Sequence, residues 1–184
     1  MVIKKAYAKI NIGLRILGKR EDGYHDIETI FHRTNIFDRL IFELNKEIFI
    51  SVSGFPLPND NNNLSLRAAN LLRQSYNLPF GVKIGLEKNI PIGAGLGGGS
   101  SDAAATLLGL RTLWNLPISI AELNVLAQQL GADVPYFLHD DSAYGTGRGD
   151  TLEYFHLDLP YWIVLVYPAI HVSTAWAYSQ CPAK

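Results

Sequence analysis

The segment 91-PIGAGLGGGSSDAAA-105 puts five glycines among the seven residues 93–99, with Ser100 and Ser101 directly behind them. Glycine lets a backbone come close to a ligand and lets successive N–H groups point to one side. From about Ser101 the pattern turns helical, with Ala104, Leu107, Leu108 and Trp114 on one face. A helix start adds unpaired N–H groups and the positive end of its dipole. Together these make a cradle for an anion, most often phosphate. The serine hydroxyls can touch phosphate or a phosphate-bound metal. The alternative is a flexible linker, but Pro91 and the helix frame the run tightly.

Two other motifs compete. Gly93, Gly95 and Gly98 fit the dinucleotide pattern G-x-G-x-x-G. That pattern needs a strand running straight into it and an acid closing a second strand about 20 residues on. Here Lys88–Pro91 interrupts the junction, and Glu122 falls inside a predicted helix. The stretch 13-GLRILGKR-20 fits G-x-x-x-x-G-K but has Arg20 where magnesium needs a hydroxyl, and its middle is strand-like.

The elements that must hold the loop are legible in outline. Residues 2–17 read as strands, and 22-DGYHDIETIF-31 as a turn that returns to strand. Residues 39–54 read as a hairpin turning near Asn45-Lys46. The segment 64–76 has Leu64, Ala68, Leu71 and Leu72 on one helical face, and 81–90 is a strand leading into the loop. A helix begins at 119-SIAE-122, a capping-box pattern, and stops at Gly131. The run near 161-YWIVLVYPAI-170 reads as a buried strand, too short for a membrane span. Strands and helices mix without strict alternation, which predicts an α+β domain with a mixed sheet covered by helices.

With 184 residues, 48% of them hydrophobic and 18% charged, the chain can bury a core without staples. A net charge of −1 gives no field for nucleic acid. The single cysteine, Cys181, closes no internal disulfide, and no signal-peptide pattern opens the chain; both fit a cytoplasmic protein. Nothing here sets the oligomeric state or a protein metal site.

The loop Pro91–Ser101 resembles the phosphate-binding motif of the GHMP kinases. Four further stretches, 8-AKINIGLRILGKREDGYHDIETIF-31, 131-GADVPYFL-138, 143-AYGTGRGD-150 and 173-STAWAY-178, narrow the likeness to the branch acting on a cytidine-diphosphate sugar alcohol in the non-mevalonate route to isoprenoids. The resemblance implies an N-terminal domain like domain 2 of ribosomal protein S5 over residues 1–160. Residues 161–184 would begin a C-terminal domain that family members continue into, so a truncated chain is expected. It implies transfer of the γ-phosphate of ATP, arriving with magnesium, to the 2-hydroxyl of the acceptor. Another small-molecule GHMP kinase, or an ATP-binding fragment without activity, are the alternatives.

By residue types alone, Asp133 reads as a turn residue and Lys9 as a solvated lysine at a strand edge. The resemblance makes both catalytic. Asp133 would accept or orient the hydroxyl proton, and Lys9 would keep Asp133 ionised and offset phosphoryl charge. ATP would lie on Pro91, Ile92, Gly93, Ala94, Gly95, Leu96, Gly97, Gly98, Gly99, Ser100 and Ser101. Asn63 and Leu64 would approach the adenine. Asn11, Tyr24, His25 and Thr174 would bind the acceptor, where an aromatic ring and an imidazole suit cytosine. A lone histidine is more often structural. Tyr7 stands where the family usually has proline.

Overall fold

Period-2 apolar residues over the first 45 positions form two long strands, β1 (Val2–Lys19) and β2 (His25–Asn45), joined by a turn in which Gly23 has φ +83°. There follow β3 (Phe49–Gly54), α1 (Leu64–Ser75), β4 (Gly81–Lys88), α2 (Gly98–Leu113), α3 (Ile120–Leu130), a 3₁₀ turn (Pro135–Leu138), β5 (Ser142–Thr146), β6 (Thr151–Phe155) and α4 (Thr174–Ser179). The computed structural model describes residues 1–57, 60, 62–168, 170 and 174–180.

The strands form one mixed sheet. β2 is long enough to be shared. β1 lies antiparallel along one edge, with register shifts at Tyr7/Lys9, Ile12/Leu14 and Ile16/Gly18. The other edge takes β5 at Thr29–Phe31 and β4 at Arg39–Asn45, and β6 lies outside β5. The expected hairpin between 39 and 54 does not form. β3 pairs parallel to β4, which separates it from β2. The reason is burial: β4 offers Val82, Ile84 and Leu86 to the core, each at most 1% exposed, whereas Phe49 of β3 is 54% exposed. The more apolar strand takes the inner place, and α1 makes the crossover that a parallel pair needs.

Helices α1, α2 and α3 cover the sheet's apolar face, where Leu40, Phe42, Ile84 and Leu86 meet Leu72, Leu107, Leu110 and Leu123. α1 is capped by the Asn63 side chain accepting from the Ser65 N–H. α3 has the capping box, Ser119 with Glu122, and ends at Gly131. α2 starts at Gly98, three residues before the sequence pattern suggests, because glycine carries no helical signature. Its small residues Ala103, Ala104, Ala105 and Gly109 let it sink between the sheet and its neighbours.

The stretch 13–20 that mimics a P-loop lies in and beside β1, not in a loop. The run 161–168 is not the buried strand expected from its composition. Among the described residues it joins no strand, and Trp162, Val164 and Val166 are 95%, 83% and 85% exposed. Apolar alternation gives it strand character, but a strand is made only by a partner edge, and none of the described strands supplies one. No described helix is long and apolar enough to cross a membrane.

Candidate active site

The strand β4 ends at Lys88, and the chain then passes along the glycine loop into α2. Gly93, Gly95 and Gly97 have φ of +70°, +74° and +69°. This left-handed conformation at every second residue turns backbone N–H groups into a concave nest. Gly97 has no side chain to cap α2, so no side-chain acceptor takes the helix's first N–H groups. A Cβ on Gly97 would lie 2.8 Å from Phe137 Cζ and 3.1 Å from Lys9 Cγ. The Leu96 carbonyl accepts from the Lys9 N–H at 2.9 Å, which ties the loop to β1.

A cleft of about 1030 Å³ opens over this loop. Residues 91–100 line it, together with Lys9, Asn11, Tyr24, His25 and Asp133. Thus β1, the turn before β2, the glycine loop and the segment after α3 meet around one space. Of the two serines, Ser100 lines the cleft and Ser101 is buried at 2% exposure. Leu57 and Leu64 give the cleft an apolar wall beside the loop, and Asn63 is buried as the α1 cap. Thr174 begins α4, but its side chain lies outside the described residues; Ser179 of the same helix reaches the cleft.

Lys9 Nζ donates to Asn11 Oδ1 at 2.6 Å, and Asn11 Nδ2 donates to Thr29 Oγ1 at 2.9 Å. The two residues share a strand face, two positions apart. Lys9 Nζ lies 3.8 Å from Asp133 Oδ2 and 5.3 Å from the centre of the Phe31 ring. Burial pushes the Lys9 ammonium below its ordinary value, and Asp133 pulls it back up. The lysine is 8% exposed and the carboxylate 37%, so the acid is the more open to a substrate. Asp133 follows the Gly131 end of α3 and faces Lys9 of β1.

At the other end, the Tyr24 ring is 57% exposed, with the Arg148 guanidinium 5.1 Å from its centre. Arg148 sits in the glycine turn 145-GTGRGD-150 between β5 and β6. With Lys19 it adds positive charge to this end of the cleft. Sequence reasoning did not single out Arg148, Lys19 or Lys88, all of which line the cleft. For Lys88 a signal exists: it continues the buried series Val82, Ile84, Leu86 on one strand face, where a charge needs a reason.

The match to known proteins is specific. Residues 63–141 match the family model described as the GHMP kinases N terminal domain. Relatives bearing the name 4-diphosphocytidyl-2-C-methyl-D-erythritol kinase include one from Prosthecochloris aestuarii, 52% identical over 95% of this chain, and one from Pelodictyon phaeoclathratiforme, 50% identical over 97%. The chain carries the N-terminal domain of the GHMP kinases. It spans 61% and 63% of those two relatives' lengths. A crystal structure of 4-(cytidine 5'-diphospho)-2C-methyl-D-erythritol kinase superposes on 85% of the chain, and on 56% of its own, with TM-score 0.74 and 43% identity. A homoserine kinase from Cytophaga hutchinsonii, 17% identical, covers all of the chain and 61% of its own with TM-score 0.67. That likeness is one of fold alone.

Proposed function

We propose that this chain carries the ATP and acceptor sites of a 4-diphosphocytidyl-2-C-methyl-D-erythritol kinase, acting in the cytoplasm on the non-mevalonate route to isoprenoids. One observation carries the reading: Lys9 and Asp133 stand opposite the glycine nest, in a cleft whose far end presents Tyr24 and His25. The names borne by the relatives support the choice of acceptor.

In this reading the triphosphate lies on residues 91–101, with its adenine toward Leu57 and Leu64. The N–H groups of the nest and of the first turn of α2 hold the phosphates. Asn11 and Thr174 hold the sugar alcohol, and Tyr24 and His25 take the cytosine. The acceptor's 2-hydroxyl attacks the γ-phosphorus, the bond to the bridging β,γ-oxygen breaks, and ADP leaves. Asp133 takes the hydroxyl proton, and the Lys9 ammonium offsets charge on the transferring group.

Magnesium would come with the nucleotide, shielding its phosphate charge. Among the described residues no three His, Cys, Asp or Glu side chains gather to hold a metal. ATP oxygens would supply most of its ligands, with the hydroxyl of Ser100, which lines the cleft, beside them.

The test is ADP release from ATP with the diphosphocytidyl acceptor, with mevalonate and homoserine as controls, on this chain and on a full-length relative. Turnover with the cytidine acceptor alone is expected. Turnover confined to the relative would make this chain a binding portion, and release with a control acceptor would replace the substrate. Asp133→Asn should lower turnover by roughly 10²- to 10⁴-fold and leave ATP binding intact. Near-normal turnover would remove Asp133 from the chemistry.

A further inference from the structure

Beneath the glycine loop three ionisable side chains from three elements meet out of water. The register that sets Arg39 opposite Glu87 brings Asp38 of β2 beside Lys88, the last residue of β4. Lys88 Nζ donates to Asp38 Oδ2 and, at 2.8 Å, to Asp102 Oδ2 in the first turns of α2. The side chains are 2%, 0% and 2% exposed. Asp38 Oδ1 also accepts from the Ile90 N–H at 2.8 Å, at the root of the loop. Asp102 Oδ1 is buried without a hydrogen-bond partner. A Cβ on Gly98, the first residue of α2, would lie 2.8 Å from Lys88 Nζ. The ammonium thus sits directly under the turn on which phosphate would rest.

Stability does not explain this cluster. A buried ion pair recovers little more than its desolvation cost, and apolar side chains of the same size often serve a fold as well. What the pair fixes is geometry, because each bond works at one distance and angle. We propose that Lys88, clamped by Asp38 and Asp102, is a positioning residue that locks the start of α2 and the root of the glycine loop to β2 and β4, holding the loop's N–H groups in phosphate-binding geometry. The phosphate part of this rests on the kinase reading above; the locking part does not.

The experiment pairs two measurements on the whole chain. Amide hydrogen exchange of residues 101–104, whose helical acceptors are the carbonyls of 97–100, reads the lock without a ligand. Calorimetry with ATP and magnesium reads its use. The variant is D38N/K88M/D102N, which removes all three charges together and keeps a side-chain amide oxygen at position 38 for the Ile90 N–H. The expected result is exchange at 101–104 at least tenfold faster, unchanged exchange in β4, and at least tenfold weaker ATP binding. Exchange and affinity both within twofold of the parent would overturn the proposal. Faster exchange in the variant of a parent chain that binds no ATP would sink the kinase reading and leave the lock standing. If the triple variant unfolds, D102A decides, since it leaves the Lys88–Asp38 pair intact: unchanged exchange at 101–104 there also overturns the proposal.

Discussion

Asp102 shows how far one residue's surroundings can move its charge. Its carboxyl group is pushed up from 3.8 to about 7, because burial penalises the anion and the Asp38 charge adds to that, more than Lys88 offsets. The contact to Lys88 at 2.8 Å does not reverse this, since the ammonium is shared with Asp38. The group binds its proton more tightly folded than unfolded. Its contribution to stability is therefore fully present below about pH 3.8 and is lost as pH rises through about 7. At about 1.4 kcal/mol per pKa unit, the swing is on the order of a few kcal/mol. Among the described residues, Lys88 and Asp38 are the charged neighbours that act on it. Asp102→Asn should remove this slope, so that the parent loses stability relative to the variant between pH 5 and pH 8. Urea unfolding at pH 5, 6.5 and 8 checks this, and parallel profiles would contradict it.

At the scale of the element, the glycine loop and α2 give two substitutions that differ in one respect. Gly95 and Gly97 both have positive φ, where a non-glycine residue costs roughly 1–2 kcal/mol. A Cβ at Gly95 meets nothing within 4 Å, whereas at Gly97 it would press on Phe137 and on Lys9 itself. Gly95→Ala should therefore cost only the backbone strain. Gly97→Ala should cost more stability, weaken ATP binding and shift Lys9 from Asp133. Melting curves and ATP titrations of both variants test this, and equal losses would remove the crowding argument.

Much at this scale is legible in sequence. The cap at Ser119, the stop at Gly131 and the strand 81–88 depend on neighbours a few positions away. What depends on distant pairing is not. Nothing near Phe49 says that β4 will separate β3 from β2. Lys88 finds its partners 50 and 14 positions away. The early start of α2 is hidden because glycine is the residue that gives least local evidence of a helix. The lining role of Asn11, Tyr24 and His25 follows from the turn Asp22-Gly23 only once β1 and β2 are paired in register.

The whole molecule depends on how closely the helical layer approaches the sheet. α2 is the middle helix, and its first turn builds the phosphate end of the cleft, so its distance from β2 also sets the site. That distance is fixed at Gly109, where a Cβ would lie 2.5 Å from Phe42 Cε2 and 2.7 Å from Phe42 Cδ2. Gly109 is buried in the helix, and Phe42 is fully buried in the core. Helix propensity alone favours Gly109→Ala by about 1 kcal/mol. Overpacking opposes it at about 1–3 kcal/mol, because a buried ring flanked by two layers has nowhere to turn. The net change should be destabilising, opposite in sign to the propensity. Phe42→Leu removes the ring edge that the new methyl group would meet, so in that background Gly109→Ala should stabilise or be neutral. A double-mutant cycle by chemical unfolding measures the coupling. If Gly109→Ala costs the same with and without Phe42, the ring does not set the helix's distance from the sheet.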